Sequence, residues 1–153
     1  MPKQSWRLEE GDVRFVIDFA IDAAREAGVA VTVAVMETGG HLVGSLRMEG
    51  ARLASIDGAL KKAWTAAIFQ RPSSSYMASI LPGGDAYGMW NAYPGKLVPL
   101  PGGQPIMIGE DCVGGLGISG GPGAVDEEVA TNSVAALLSR INATYTPGKL
   151  GPT

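Results

Sequence analysis

Ala30-Val31-Thr32-Val33-Ala34-Val35-Met36-Glu37-Thr38-Gly39-Gly40-His41-Leu42-Val43-Gly44-Ser45-Leu46-Arg47-Met48 sets two β-rich runs, residues 30–36 and 42–48, around a glycine pair. That arrangement is the short-range signature of a β-hairpin. Strands joined by a tight turn must run antiparallel, so this segment decides the type of sheet. Read as a two-residue turn, Gly39-Gly40 sets Thr38 opposite His41 and Glu37 opposite Leu42. Val31, Val33, Val35, Leu42, Gly44 and Leu46 then share one face, which reads as the core face. Thr32, Ala34, Met36, His41, Val43, Ser45 and Arg47 share the other. This second face is small and mixed, and is expected to meet a ligand, another subunit or water rather than a helix. Glu37 is expected at the rim of the core face, where a carboxylate needs a partner or solvent.

Upstream, Val13, Val16, Ile17, Ala20, Ala24 and Ala27 recur at helical spacing over residues 9–27, and Gly28 suits the stop. Downstream, Ile56, Ala59, Leu60, Ala63 and Ala67 predict a second helix over residues 55–70, ended by Pro72. Residues 74–81 suit two further helical turns, and a loop rich in Gly, Pro, Tyr and Trp runs on to Lys96. Residues 97–100, 106–108 and 112–119 are three more strand candidates, and residues 126–141 a closing helix. Asp126, Glu127 and Glu128 favour the positive end of that helix. The expectation is an α+β fold with an antiparallel sheet of about five strands and packed helices, one domain over residues 1–145. Residues 146–153 read as a flexible tail.

A chain of 153 residues buries about 68–70% of its unfolded surface and needs no disulfide or metal staple. A net charge of −3 without any basic run argues against nucleic acid as a partner. The start lacks a signal-like apolar region and no stretch suits a membrane span, so a soluble, cytoplasmic protein is expected. One histidine and one cysteine leave too few ligands for a zinc site, and no metal is expected. Cys112 opens an apolar strand without a basic neighbour and reads as an inert thiol.

Several segments in series resemble the GlcG/HbpS-like family. Residues 33–42 (VAVMETGGHL) with residues 46–51 (LRMEGA) look like its hairpin, and residues 62–66 (KAWTA) like its second helix. Residues 102–106 (GGQPI) and 113–120 (VGGLGISG) resemble its later strands, and Asp126 with Val129-Ala130 echoes the opening of its last helix. The resemblance covers roughly residues 8–141. It implies a profilin-like α+β fold and a homo-oligomer. Relatives include haem-binding or haem-degrading proteins, a domain fused to corrinoid adenosyltransferases, and accessory proteins of catabolic operons. Glu37 and Glu49 stand where the family pattern carries aspartates.

The residues suggest binding, and in one version transformation, of a small anionic organic molecule, such as a small or ring-cleaved aromatic carboxylate, and the resemblance implies that this belongs to a catabolic pathway. Arg47 would grip the carboxylate as a planar fork, and Glu49 would be the general acid–base. A structural ion pair or a subunit contact accounts for these two residues as well. Lys62 and Thr65 lie one helical turn apart and so share a face that could complete the pocket. The Gly102-Gly103 backbone would add positive potential, though close strand packing explains the glycines equally. Trp90 and Tyr93 would wall the ligand from the long loop. No cofactor is required by this reading. The alternative is a non-enzymatic haem-binding oligomer that uses His41, Tyr87 or a methionine as axial ligand. A purely structural accessory protein is the third reading.

Overall fold

A computed structural model describes residues 6–144; the tail read at residues 146–153 lies outside them. In chain order it contains α1 (Glu10–Glu26), β1 (Thr32–Glu37), β2 (Leu42–Arg47), α2 (Ala54–Phe69), β3 (Gly103–Ile108), β4 (Asp111–Ser119) and α3 (Gly123–Thr144). Short 3-10 turns, Ser73–Tyr76 and Met89–Asn91, punctuate the long loop after α2. The architecture is α+β, with one antiparallel sheet in the order β2-β1-β4-β3. The sheet has four strands, not five. Residues 97–100 lie outside the sheet because Thr65, not a neighbouring strand, accepts the Val98 N–H at 3.0 Å.

Two layers of helix sandwich the sheet. On one side α1 and α3 pack on Val33, Val35, Leu116 and Ile118, a core completed by Val16, Ala20, Ala130 and Leu137. On the other side α2 lays Ala59, Ala63 and Ala67 on Ala34 and Met36. The second face of β1 therefore meets a helix, contrary to the expectation from its mixed composition. Its residues are small for a specific reason: the helix they receive lies almost against the sheet backbone. A Cβ added to Gly117 would meet the Ala59 carbonyl and come within 2.7 Å of the Ala63 nitrogen. One added to Gly115 would meet the Ala63 carbonyl in the same way.

The hairpin differs from its reading in one detail. Glu37 accepts the Gly40 N–H at 2.9 Å and donates its own N–H to the His41 carbonyl at 2.9 Å. The loop thus has three residues, Thr38, Gly39 and Gly40, and Gly40 takes the left-handed conformation that this loop type requires (φ 79°). Met36 pairs with Leu42, and an irregularity next to it restores Val35 opposite Gly44 and Val33 opposite Leu46. The faces of β1 come out as the alternation predicts, because the longer turn and the bulge offset each other. β2 contributes little to the core. It is the outer strand, and Leu42 and Leu46 are 53% and 45% exposed.

The close approach of α2 to β4 is directly testable. Gly117→Ala places a methyl on helix backbone that cannot turn aside, and is expected to cost about 1–3 kcal/mol through overpacking. Urea unfolding should show a lowered midpoint with an unchanged slope. Wild-type stability in this variant would show that the seam has slack.

Candidate functional site

Where α2 leaves the sheet, its first two turns, the end of β4 and the start of α3 surround a cleft of about 530 Å³. Residues 98–101 close the remaining side with Val98, Leu100 and Pro101. Thr65 pins this wall by accepting from Val98, while Ser73 donates to the Leu100 carbonyl and accepts the Gly103 N–H at 2.9 Å. Gly58 lies on the floor of the cleft next to Ser119, whose Cβ a side chain there would approach to 3.0 Å.

Two cations line the cleft. Arg52 stands exposed at its mouth, holding the Gly120 carbonyl at 3.0 Å. Lys62 is buried, with its Nζ donating to the Ile118 carbonyl at 2.9 Å and to Asp126 Oδ2 at 3.1 Å. An ammonium has three donors, so these two bonds leave one N–H without a partner among the described residues. Asp126 is buried as well and accepts the Gly121 N–H on its other oxygen at 2.9 Å. Burial pushes the Asp126 carboxyl above the usual carboxylate range, and the Lys62 ammonium pulls part of the way back. The result is a cleft with apolar sides, one exposed guanidinium and a floor made of a neutralised ion pair.

Of the ligand residues read from the sequence, only Lys62 lines this cleft. Arg47 and Glu49 are exposed at the end of β2 and just beyond it, away from the cleft lining. Thr65 is fully buried and holds the wall rather than facing the cleft. The N–H groups of Gly102 and Gly103 are already taken by Glu127 at 2.6 Å and Ser73 at 2.9 Å. Their backbone therefore offers no free donors to an anion. Gly102 is a glycine for another reason: its φ is 117°, and a Cβ would stand 3.1 Å from the Lys62 Nζ. Trp90 is 44% exposed on the long loop, outside the cleft.

Tyr93 belongs to a separate aromatic cluster. Its ring lies 5.1 Å from Phe69 and 6.1 Å from Trp64, and Lys96 sits 5.5 Å above the Trp64 ring. The hairpin tip rests on this cluster, since a Cβ at Gly40 would come within 2.7 Å of Trp64 Nε1. Beside it, Glu37 Oε1 accepts the N–H groups of Gly39 at 2.7 Å and His41 at 3.1 Å, and meets His41 Nδ1 at 2.7 Å. Glu37 thus ends β1 half-buried and finds its partners in its own loop, which it caps. The His41 backbone donor is the main cause that holds its carboxyl below the usual range. With Glu37 ionised, a neutral His41 carries its hydrogen on Nδ1 and presents Nε2 as a bare lone pair to solvent.

Comparison with known proteins now settles the lineage. The family model for haem degrading protein HbpS-like matches residues 8–135. The chain belongs to the HbpS-like family. It is 33% identical over 118 residues to corrinoid adenosyltransferase PduO of Citrobacter freundii, covering 77% of this chain and 35% of that protein. The chain thus spans about a third of the length of that curated relative. The solved PduOC:haem complex superposes with a TM-score of 0.83 at 31% identity, over 86% of this chain and 95% of the other. ORFY of Klebsiella pneumoniae superposes with a TM-score of 0.85 at 25% identity, over 90% and 95%. The family resemblance and the α+β fold read from the sequence are both confirmed.

Arg52, Asp126 and the 98–101 wall were not legible as a site. Arg52 is five residues from the arginine singled out in the hairpin. The only local signal for Asp126 was its place behind Gly120-Gly121 at a helix start, which by itself suggests macrodipole compensation.

Proposed function

We propose that this HbpS-like chain binds a small organic anion with an apolar body in the cleft between α2, β4 and α3. The observation that carries this reading is the pairing of Arg52 and the spare Lys62 donor with apolar walls, in a cavity of ligand size. Arg52 would take a carboxylate in bidentate fashion while Val98, Leu100 and Pro101 cover the carbon skeleton. Arg47 and Glu49, the pair favoured by sequence, lose this role to Arg52. The catabolic setting is what the family resemblance implies, and Cys112, a buried free thiol whose pKa burial pushes up, suits a reducing cytoplasm.

Benzoate serves as the probe, followed by calorimetry at low ionic strength. Arg52→Ala should weaken it at least tenfold, as expected on losing a charge-assisted hydrogen bond of about 1.5–3 kcal/mol. Arg47→Ala should leave affinity per folded molecule unchanged. The opposite pattern would return the site to the end of β2.

Haem at the hairpin tip is the second reading, favoured by the Glu37–His41 geometry. An imidazole oriented by a carboxylate is a typical ligand arrangement, and the aromatic cluster with Lys96 suits a flat macrocycle with propionates. The group would supply its own redox chemistry; His41 would hold the iron and Glu37 would fix the tautomer. A relative in this family has been solved as a haem complex, which adds support. Haemin titration should give a Soret shift that His41→Ala abolishes and Glu37→Gln weakens. Identical spectra from all three proteins would remove the reading.

Self-association also belongs to this proposal, carried by the unpaired outer edge of β2 and its exposed Leu42, Val43 and Leu46. Light scattering at micromolar concentration should report a particle larger than the 15.8 kDa chain. A clean monomer would sink this part.

A further inference from the structure

A buried ion pair needs a reason. Removing two charges from water costs several kcal/mol per ion, and apolar residues of similar volume often replace such pairs at no loss of stability. Lys62 and Asp126 are 5% and 2% exposed, link α2 to α3, and form the innermost part of the cleft. Their sum is a floor with no net charge but with a free N–H. Among the described residues, charge elsewhere in the cleft comes from Arg52 alone, which is exposed and donates to the Gly120 carbonyl. Glu127, next to Asp126 on α3, turns away to Gly102 and Gln104 and does not reach the cavity.

We propose that the Lys62–Asp126 pair sets the charge selectivity of this cleft, admitting mono-anions and rejecting dianions; the inference rests on the cleft being the ligand site. The selectivity has an electrostatic origin. A mono-anion seats its one carboxylate on Arg52 and pushes an uncharged end toward the floor. That end meets apolar walls and a floor whose two charges cancel. A dianion of the same skeleton must bring its second carboxylate down to the floor. There it finds the Lys62 charge already satisfied by Asp126, and it sits close to the Asp126 carboxylate in a partly desolvated space. The dianion pays desolvation without gaining a free counter-ion. Asp126 is therefore a specificity determinant that acts through Lys62, and the chemical class it selects is a carboxylate whose distal end is uncharged.

Benzoate and isophthalate share a ring and differ by one carboxylate, and both are fully ionised at pH 7.5. The unmodified protein should bind benzoate on the order of tenfold more tightly than isophthalate, a small fraction of the worth of one close unit charge, because Lys62 offsets most of the Asp126 repulsion. Asp126→Asn keeps the shape and one acceptor oxygen for Lys62, gives up the bond from the Gly121 N–H, and frees the ammonium charge. The preference should then reverse, with isophthalate gaining at least tenfold. Lys62→Met leaves the acid alone on the floor and should weaken both ligands, isophthalate more. Equal affinities in the unmodified protein, or a preference untouched by Asp126→Asn, would overturn the selectivity role while leaving the cleft intact. Benzoate binding that is absent, or indifferent to Arg52→Ala, would overturn the cleft reading itself, and the selectivity inference with it.

Discussion

The contact between α2 and the sheet organises the rest of the molecule. Ala59, Ala63 and Ala67 on the helix meet Ala34 on β1 and the bare backbone of Gly115 and Gly117 on β4. No side chain separates helix from strand along this line, so the two backbones lie as near as their own atoms permit. Such a seam gives little hydrophobic energy per residue, because alanine and glycine bury few carbon atoms. Its value is positional: dense packing of small groups admits only one placement of the helix along and around its axis. The energetic weight lies on the other side of the sheet, where valines, isoleucines and leucines of β1, β4, α1 and α3 interdigitate.

Fixing α2 this closely fixes the cleft. Lys62 sits between Ala59 and Ala63, so the same helix placement that buries the alanines carries its ammonium to the end of β4. There the Ile118 carbonyl, left over where the strand turns away, accepts from it, and Asp126 meets it from α3. Gly58 extends the small-residue line one position further and leaves room for Ser119 where a larger residue would close the cavity. The 98–101 wall is tied to this helix too, through Thr65, one turn beyond Lys62. Site and scaffold are therefore one set of contacts, and the ion pair is the place where the seam opens onto solvent.

The two functional readings occupy different ends of α2. The cleft uses the N-terminal half of the helix, with its cations and apolar wall. The hairpin tip uses the C-terminal half, where Trp64 and Phe69 meet Tyr93 and support Gly40. The Glu37 carboxylate at that tip is fixed by backbone donors of its own loop and meets Nδ1 of the exposed His41 ring at 2.7 Å. Lys62 of the cleft and Trp64 of the tip cluster are two residues apart on α2, so the two sites share one helix.

By itself, the sequence determined the elements whose signal is periodic and local. The helices over residues 9–27 and 55–70 follow from apolar spacing, and the hairpin follows from a glycine pair between β-rich runs. The alternation also sorted the faces of β1 correctly, although the turn is one residue longer than the simplest hairpin, because a bulge offset the change. Motif order placed the chain in its family. What only the tertiary structure decided concerns partners distant in sequence. Lys62 meets Asp126 across 64 residues, and Thr65 meets Val98 across 33. No local pattern encodes such pairings, since periodicity reports which side of an element is buried and not what buries it. For the same reason Arg47, prominent in the hairpin, stayed on the surface, and Arg52 at the entry to α2 reached the cleft. Residues 97–100 read as a strand because their composition suits one; they became a cavity wall because a buried threonine took the N–H that a sheet would have needed.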